Sequence, residues 1–159
     1  MISFVGAGPG DPELITLKGQ KRLQTANTVI YAGSLVPEAL LSHCTEDCEI
    51  YNSAEMSLPE VLEVLIRDQK AGKSVVRLHT GDPAIYGAIR EQMDGLKEAG
   101  ITDFEVVPGV SSFLGAAAAL KAEYTLPEVT QTVILTRMEG RTPVPSRESI
   151  VSLASHQAT

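Results

Sequence analysis

Residues 2–12 of the chain read ISFVGAGPGDP, an apolar run that passes directly into a turn of glycine and proline. Similar short runs rich in β-branched residues recur at 28–32, 49–51, 74–78, 104–107 and 132–135. They are continuous rather than alternating, which is typical of strands buried on both faces. Stretches with helical periodicity lie between most of them, at 14–26, 61–66 and 85–96. This alternation predicts an α/β fold in which helices cover a parallel sheet.

A domain boundary is predicted near residue 127, where Leu-Pro-Glu interrupts the pattern. Residues 1–127 would form an N-terminal α/β domain. Residues 128–159 would form the first strand (132–136), loop (140–145) and helix of an incomplete C-terminal domain, the helix being capped by Ser146. Because one strand and one helix cannot make a domain, we expect either that the last thirty residues fold back onto the first domain or that the sequence is a fragment of a longer protein.

Composition excludes several classes of protein. The 159 residues are 43% hydrophobic and 21% charged, which is typical of a globular chain, and the formal net charge is −7. A surface that neutralises phosphates would be basic, so we expect neither a nucleic-acid partner nor a polybasic membrane contact. Without a basic signal-like N-terminus or a long apolar run, the chain is predicted to be cytoplasmic. Cys44 and Cys48 are predicted to be reduced thiols, and no metal site is expected.

Three predicted strands are each followed by a polar, glycine-containing turn, at residues 6–12, 80–87 and 108–113. The carboxyl ends of parallel strands meet at one edge of a sheet, and open α/β sheets bind ligands there. Gly81 has no side chain, so a flat ligand could lie against its peptide. Asp82 and Pro83 also favour the start of a helix, as N-cap and first helical residue.

Two alternative readings of these turns are disfavoured. A dinucleotide site would need a third glycine where Asp11 stands, Pro9 lacks an N–H for the phosphate, and no acidic residue ends the second strand to hold a ribose. A serine hydrolase would need G-x-S-x-G, which surrounds neither Ser111 nor Ser112, and nothing in the sequence orients His79 as a base.

The three turns match known signatures when taken together. GAGPGDP at 6–12 with LIT at 14–16, TGDP at 80–83 with IYG at 85–87, and VPGVSS at 107–112 resemble the tetrapyrrole methylases, which use S-adenosylmethionine. The resemblance covers the whole chain. It implies two α/β domains with the cofactor in the cleft between them, so this chain would comprise the parallel-sheet first domain and the start of the second. It also implies a homodimer.

The resemblance further implies which residues lie at the cofactor. Pro9 would border it, Ile85 would pack on it, and residues 80–82 would contact it through their backbone. The complete set of implied cofactor-binding residues is Pro9, Thr80, Gly81, Asp82, Ile85, Ser111, Ser112 and Arg137. No catalytic residue is assigned. Cations that could meet substrate carboxylates are Lys18, Arg22, Arg90, Arg137 and Arg141.

Within the family, YAGSLV at 31–36, YGAIREQ at 86–92 and TR at 136–137 with GRTP at 140–143 resemble members that methylate precorrin-4 or cobalt-precorrin-4 at carbon 11, in cobalamin biosynthesis. Transfer from a sulfonium to an electron-rich carbon needs no strong nucleophile from the enzyme, so placement of the reactants would dominate. The alternative is a truncated, catalytically inactive fragment or binding module that keeps part of the cofactor site.

Overall fold

A computed structural model describes residues 1–33, 35–140, 142–156 and 158–159. It divides into two compact units, Met1–Gly115 and Ala116–Thr159. The division falls within a helix, Ser112–Leu120. The domain boundary near residue 127 stays a prediction. No helix of the described residues has the length and apolar character needed to cross a bilayer.

The first unit is built on a parallel sheet of five strands. In chain order these are β1 Ile2–Gly6, β2 Thr28–Tyr31, β3 Glu49–Asn52, β4 Val75–His79 and β5 Phe104–Val107. Their order across the sheet is β3-β2-β4-β1-β5, and every pairing is parallel. The predicted α/β fold with a parallel sheet is confirmed, with each strand of this sheet within about two residues of its predicted bounds.

An α-helix follows each of β1, β3, β4 and β5. These helices are α1 Leu17–Gln24, α2 Leu58–Lys70, α3 Ile89–Glu98 and α4 Ser112–Leu120, the last of which contains the division between the units. Thr16 caps α1 by accepting the N–H of Gly19, and Ser57 forms a capping box with Glu60 at the start of α2. Gly72 and Gly100, both at φ +77°, follow the ends of α2 and α3, as glycine does when a helix closes in the left-handed conformation.

The central strands are buried on both faces, as their continuous apolar runs predict. Successive residues of β1 alternate between two core clusters: Val5 packs with Leu23 of α1, whereas Phe4 packs with Leu65 of α2 and Leu96 of α3. All five residues of β1 and all five of β4 are buried. Helices therefore cover both sides of the sheet and leave its carboxyl edge as the place where loops gather.

The start of α3 differs from the prediction. The helical pattern predicted a helix from residue 85 with Asp82 as N-cap, but α3 begins at Ile89. Tyr86 and Ala88 have φ of 57° and 49°, which no α-helix accommodates. Residues 83–88 instead form a tight non-helical turn, and the Asp82 carboxylate is used elsewhere in the unit.

The second unit contains little regular structure. The strand predicted at 132–136 is wrong: those residues form no strand, and Ile134 N–H donates to the carbonyl of Thr159 at 2.8 Å. The predicted helix is shorter than expected. A 3-10 turn spans Ser146–Glu148, and α5 spans Ile150–Ala154 with Ser149 as its cap, not Ser146.

Candidate functional site

Three loops meet at the carboxyl edge of the sheet because β4, β1 and β5 are neighbours. The register aligns Gly6 with His79 on one side of β1 and Val5 with Val107 on the other. Each strand therefore ends at nearly the same level. The predicted gathering of residues 6–12, 80–87 and 108–113 at one edge is confirmed.

The first two loops are joined through their backbones. Gly81 N–H donates to the carbonyl of Gly8 at 2.8 Å, and Gly8 N–H donates back to Gly81 at 3.3 Å. Both glycines have positive φ, +80° for Gly8 and +59° for Gly81, so each side of this bridge needs a conformation that L side chains rarely adopt. Ala7 N–H adds a bond to the carbonyl of His79 at 2.7 Å.

The third loop packs against the first two without any side chain between them. A Cβ placed on Gly6 would lie 2.5 Å from the Cα of Gly109 and 2.6 Å from the carbonyl oxygen of Gly81. A Cβ on Gly109 would lie 2.7 Å from the Cα of Gly6. Three backbones are therefore in direct contact, which only glycine permits.

Asp82 links the second loop to the third. Its Oδ2 accepts the backbone N–H of Gly109 at 3.0 Å, and its Oδ1 accepts the N–H of Ala84 at 2.8 Å. Its predicted role as the N-cap of α3 is wrong, because the carboxylate makes a long-range bond in place of a helix cap. Both oxygens are engaged by backbone donors.

The other predicted residues of the first unit lie around this junction. Pro9 sits beside Gly115, where an added Cβ would come within 2.8 Å of the proline ring. A Cβ on Gly81 would meet Ser111 Cα at 3.6 Å and Ser112 N at 3.8 Å. Among the remaining predicted residues, Ser111 is buried. The side chains of Thr80, Ile85 and Ser112 are exposed.

His79 is buried among apolar groups and is not placed as a base. Its ring lies 6.1 Å from that of Phe4, and its Nε2 has no hydrogen-bond partner among the described residues. Burial, with a smaller contribution from the nearby Arg77, lowers the pKa of His79 to about 3. The imidazole is therefore neutral at pH 7.

Arg137 belongs to the second unit. Its guanidinium donates to the Thr142 hydroxyl at 2.8 Å and to the carbonyls of Met138, Thr142 and Pro143. It lines a cavity of about 380 Å³ formed by residues between 137 and 151. Its predicted contact with the cofactor stays a prediction.

Most of the cations proposed to meet a carboxylate-rich substrate already have acidic partners. Lys18 and Arg22 both contact Glu105, at 2.6 and 2.5 Å, and Arg90 contacts Asp94 at 2.8 Å. Arg141 lies outside the described residues. Within the described part of the chain, no three His, Cys, Asp or Glu side chains are arranged to hold a metal ion.

Sequence reasoning overlooked two features of the site. These are the pairing of Gly8 with Gly81 and the contact of Gly6 with Gly109; the sequence predicts a ligand surface at Gly81 but no contact between the loops. The sequence does contain a signal for these contacts. Gly6 ends β1, and Gly81 and Gly109 each lie two residues beyond the ends of the neighbouring strands β4 and β5. The result is a small, backbone-lined edge with few side chains in the way of a ligand.

Comparison with known proteins gives this edge a context. The profile of the family described as Tetrapyrrole (Corrin/Porphyrin) Methylases matches residues 1–159. A cobalt-precorrin-4 C(11)-methyltransferase from Methanocaldococcus jannaschii is 59% identical over 158 residues, which are 99% of this chain and 61% of that protein. A precorrin-4 C(11)-methyltransferase from Pseudomonas aeruginosa is 49% identical, over 99% of this chain and 62% of that protein.

Solved structures agree with these matches. A cobalt precorrin-4 methyltransferase of cobalamin biosynthesis superposes with a TM-score of 0.94 at 53% identity, covering 99% of this chain and 65% of that one. Uroporphyrin-III C-methyltransferase from Thermus thermophilus, complexed with S-adenosyl homocysteine, has a TM-score of 0.68 at 35% identity and covers 82% and 52% of the two chains. The chain thus spans about three fifths of the length of these curated relatives. Because the family profile covers the chain from end to end, the chain belongs to the tetrapyrrole (corrin/porphyrin) methylase family.

Proposed function

We propose that the chain is part of an enzyme that transfers a methyl group from S-adenosylmethionine to carbon 11 of precorrin-4 or cobalt-precorrin-4, in cobalamin biosynthesis. The observation that carries this proposal is the glycine-lined edge where the loops after β1, β4 and β5 touch through their backbones. The M. jannaschii relative, named for the cobalt-precorrin-4 reaction, is 59% identical over 158 residues, which are 99% of this chain.

The residues at this edge fit a nucleoside cofactor. Residues 80–82 would hold it through their backbone, where Gly81 leaves the peptide uncovered by a side chain. Pro9 and the exposed Ile85 would border it, and Ser111 and Ser112 would face its other side. Arg137 is kept among the proposed cofactor contacts because the family resemblance implies it. When bound, S-adenosylmethionine supplies a methyl group on a sulfonium, whose loss leaves a neutral thioether.

The chain's own residues would act by placement rather than by proton transfer. Both carboxylate oxygens of Asp82 accept backbone N–H groups, so this residue fixes loops and is not placed as a base. His79 is neutral and enclosed. A rigid backbone edge that holds the reactants in line supplies orientation, which can account for many orders of magnitude in rate.

The oligomeric state and the cellular location of the protein are part of the proposal. We expect a homodimer, as the family resemblance implies, and a cytoplasmic location, as the sequence pattern predicts. With a formal net charge of −7, its surface does not favour nucleic acid or anionic lipid as a partner.

A second candidate is a cofactor-binding module without turnover. It is favoured because all the proposed cofactor contacts except Arg137 lie within Met1–Gly115, whereas the chain spans 61% of the M. jannaschii relative. Residues in the other part of such relatives could be needed for the substrate. Binding and turnover must therefore be measured separately.

Calorimetric titration with S-adenosylhomocysteine, with NADH as the control ligand, tests the cofactor proposal. We expect binding of the former only, and weaker binding by Ile85→Ala. Ile50→Ala is the matched control, because Ile50 is similarly exposed (45% against 38%) but lies on edge strand β3. Binding of NADH alone would contradict the proposal.

Transfer of a labelled methyl group to precorrin-4 and to cobalt-precorrin-4 then tests turnover. Methylation of either tetrapyrrole at carbon 11 supports the enzyme. Cofactor binding without any transfer supports the binding module.

A further inference from the structure

The chain contains two cysteines, and the structure brings their thiols together. Cys44 ends the 3-10 helix Glu38–His43, and Cys48 immediately precedes β3. A tight turn lies between them, closed by the N–H of Cys48 donating to the carbonyl of Thr45 at 3.1 Å. The two thiols are close enough for each to affect the pKa of the other.

Core packing holds both thiols in place. Cys44 and Cys48 are each half-buried and pack against the same hydrophobic cluster, which includes Leu40 and Val29. Cys48 Sγ also lies 3.8 Å from the carbonyl oxygen of Glu49 at the start of β3. Neither side chain is part of the carboxyl edge described above. Packing against this shared hydrophobic cluster therefore fixes the positions of both cysteine side chains.

The two thiols are not equivalent. Burial raises the pKa of both, and that of Cys48 reaches about 12, with further contributions from Cys44 and Glu49. The neighbouring Cys48 thiol lowers the pKa of Cys44 and so opposes the effect of burial there. Since a thiolate is the attacking species in disulfide exchange, Cys44 would react first and Cys48 second.

We propose that Cys44 and Cys48 form a reversible dithiol–disulfide pair, oxidised by small-molecule disulfides. The Cys44 thiolate attacks one sulfur of the reagent RSSR, so that a Cys44–SR bond forms and RS⁻ leaves. The Cys48 thiolate then attacks the Cys44 sulfur, forming the Cys44–Cys48 bond and expelling the second RS⁻. Two thiol protons pass to the two RS⁻ ions, the protein loses two electrons, and RSSR gains them.

The test uses the whole chain in a redox buffer of 2-hydroxyethyl disulfide and 2-mercaptoethanol. This neutral pair is chosen because the turn carries Glu46 and Asp47, which would repel an anionic reagent. The ratio of oxidised to reduced protein, measured by mass spectrometry after trapping free thiols, gives the equilibrium constant. We expect this constant to be at least about tenfold larger for the native chain than for the same chain in concentrated urea. The native rate should rise about tenfold per pH unit near neutrality.

The single variants identify the order of reaction. Cys48→Ser should stop at the mixed disulfide on Cys44, and Cys44→Ser should form its adduct more slowly. The comparison of the native wild type with the wild type in urea tests the proposal even if a variant folds poorly. An equilibrium constant in the native state no greater than in urea, or stable mixed disulfides on both cysteines of the wild type, would overturn the proposal.

Discussion

The Oδ2 atom of Asp82 accepts the backbone N–H of Gly109 at 3.0 Å, across twenty-seven positions of sequence. This bond ties the loop after β4 to the loop after β5, while the strand between them, β1, ends at Gly6 in contact with both. The carboxylate therefore organises the edge where the cofactor is proposed to bind.

Removal of this carboxylate should loosen the edge. Asp82→Ala leaves the N–H groups of Gly109 and Ala84 without their acceptor, and we expect the free energy of unfolding to fall by about 1–3 kcal/mol. Asp82→Asn keeps one amide oxygen and should lose about half as much. Denaturation in urea measures both changes. Asp47→Asn, in an exposed turn, is the matched control and should leave the denaturation midpoint unchanged. Equal effects of Asp82→Asn and Asp47→Asn would contradict the role of the Asp82 carboxylate in joining the two loops.

Contact between backbones at the edge predicts a steric effect. Gly6→Ala would place a Cβ 2.5 Å from the Cα of Gly109, and neither backbone can move without disturbing the neighbouring strands. We expect a loss of about 1–3 kcal/mol or more, as for overpacking a core, together with weaker binding of S-adenosylhomocysteine.

Gly140→Ala is the control for this substitution, because no contact from the described residues lies within 4 Å of the position that its Cβ would take, and its φ is not positive. Thermal unfolding should show a lower Tm for Gly6→Ala and no decrease for Gly140→Ala. An unchanged Tm for Gly6→Ala would mean that the three loops are not in contact.

Burial of neutral His79 predicts an acid-sensitive stability. Its pKa is about 3 in the folded state against an ordinary value of 6.5, so between these values the unfolded chain binds the extra proton. The stability is complete above pH 6.5 and is lost as the pH falls from 6.5 toward 3. From this group alone we expect a loss of about 2 kcal/mol at pH 5 relative to pH 7.

His79→Leu should remove that dependence. Because Nε2 has no partner among the described residues, an apolar replacement leaves no hydrogen bond broken there. Urea denaturation at pH 7 and pH 5 measures the difference for both proteins, with His156→Ala, an exposed site, as control. A wild-type difference that persists in His79→Leu would assign the acid sensitivity to other groups.

The strands and the gathering of the loops could be predicted because they depend on local signals. Continuous apolar runs specify strands buried on both faces, and parallel strands place their following loops at one edge. The run at 132–136 has the same composition, yet a strand also needs a neighbouring strand, and among the described residues no strand pairs with this run. Composition cannot report the presence of that neighbour.

The remaining differences between prediction and structure come from contacts between residues that are far apart in the sequence. Asp82 before Pro83 is a good local helix signal, but its carboxylate binds Gly109 instead, and α3 starts seven residues after Asp82. Their charge makes Lys18 and Arg22 candidates to meet substrate carboxylates, and the sequence does not reveal that both contact Glu105, more than eighty residues away. Such pairs become visible only when the order of the strands is known.

The position of Glu105 gives the last prediction. Burial alone would raise its pKa, but hydrogen bonds from Lys18, Arg22 and Ser3 outweigh burial and lower the pKa to about 2. Its ion pairs are partly open to solvent, so we expect Glu105→Gln to lower the free energy of unfolding by only about 1 kcal/mol at pH 7. Asp94→Asn, which removes an exposed pair with Arg90 on α3, should have no measurable effect.

The sign of the pH effect distinguishes the charge of Glu105 from its packing. The folded-state pKa lies below the ordinary value of 4.5, so the stabilisation is complete above pH 4.5 and is lost as the pH falls from 4.5 toward 2. The difference between wild type and Glu105→Gln should therefore shrink across this window and stay constant from pH 5 to pH 7. This pH window separates the Glu105 effect from the His79 effect, most of which develops above pH 4.5. A difference that is the same at pH 3 and pH 7 would show that the side chain acts through its shape and not through its charge.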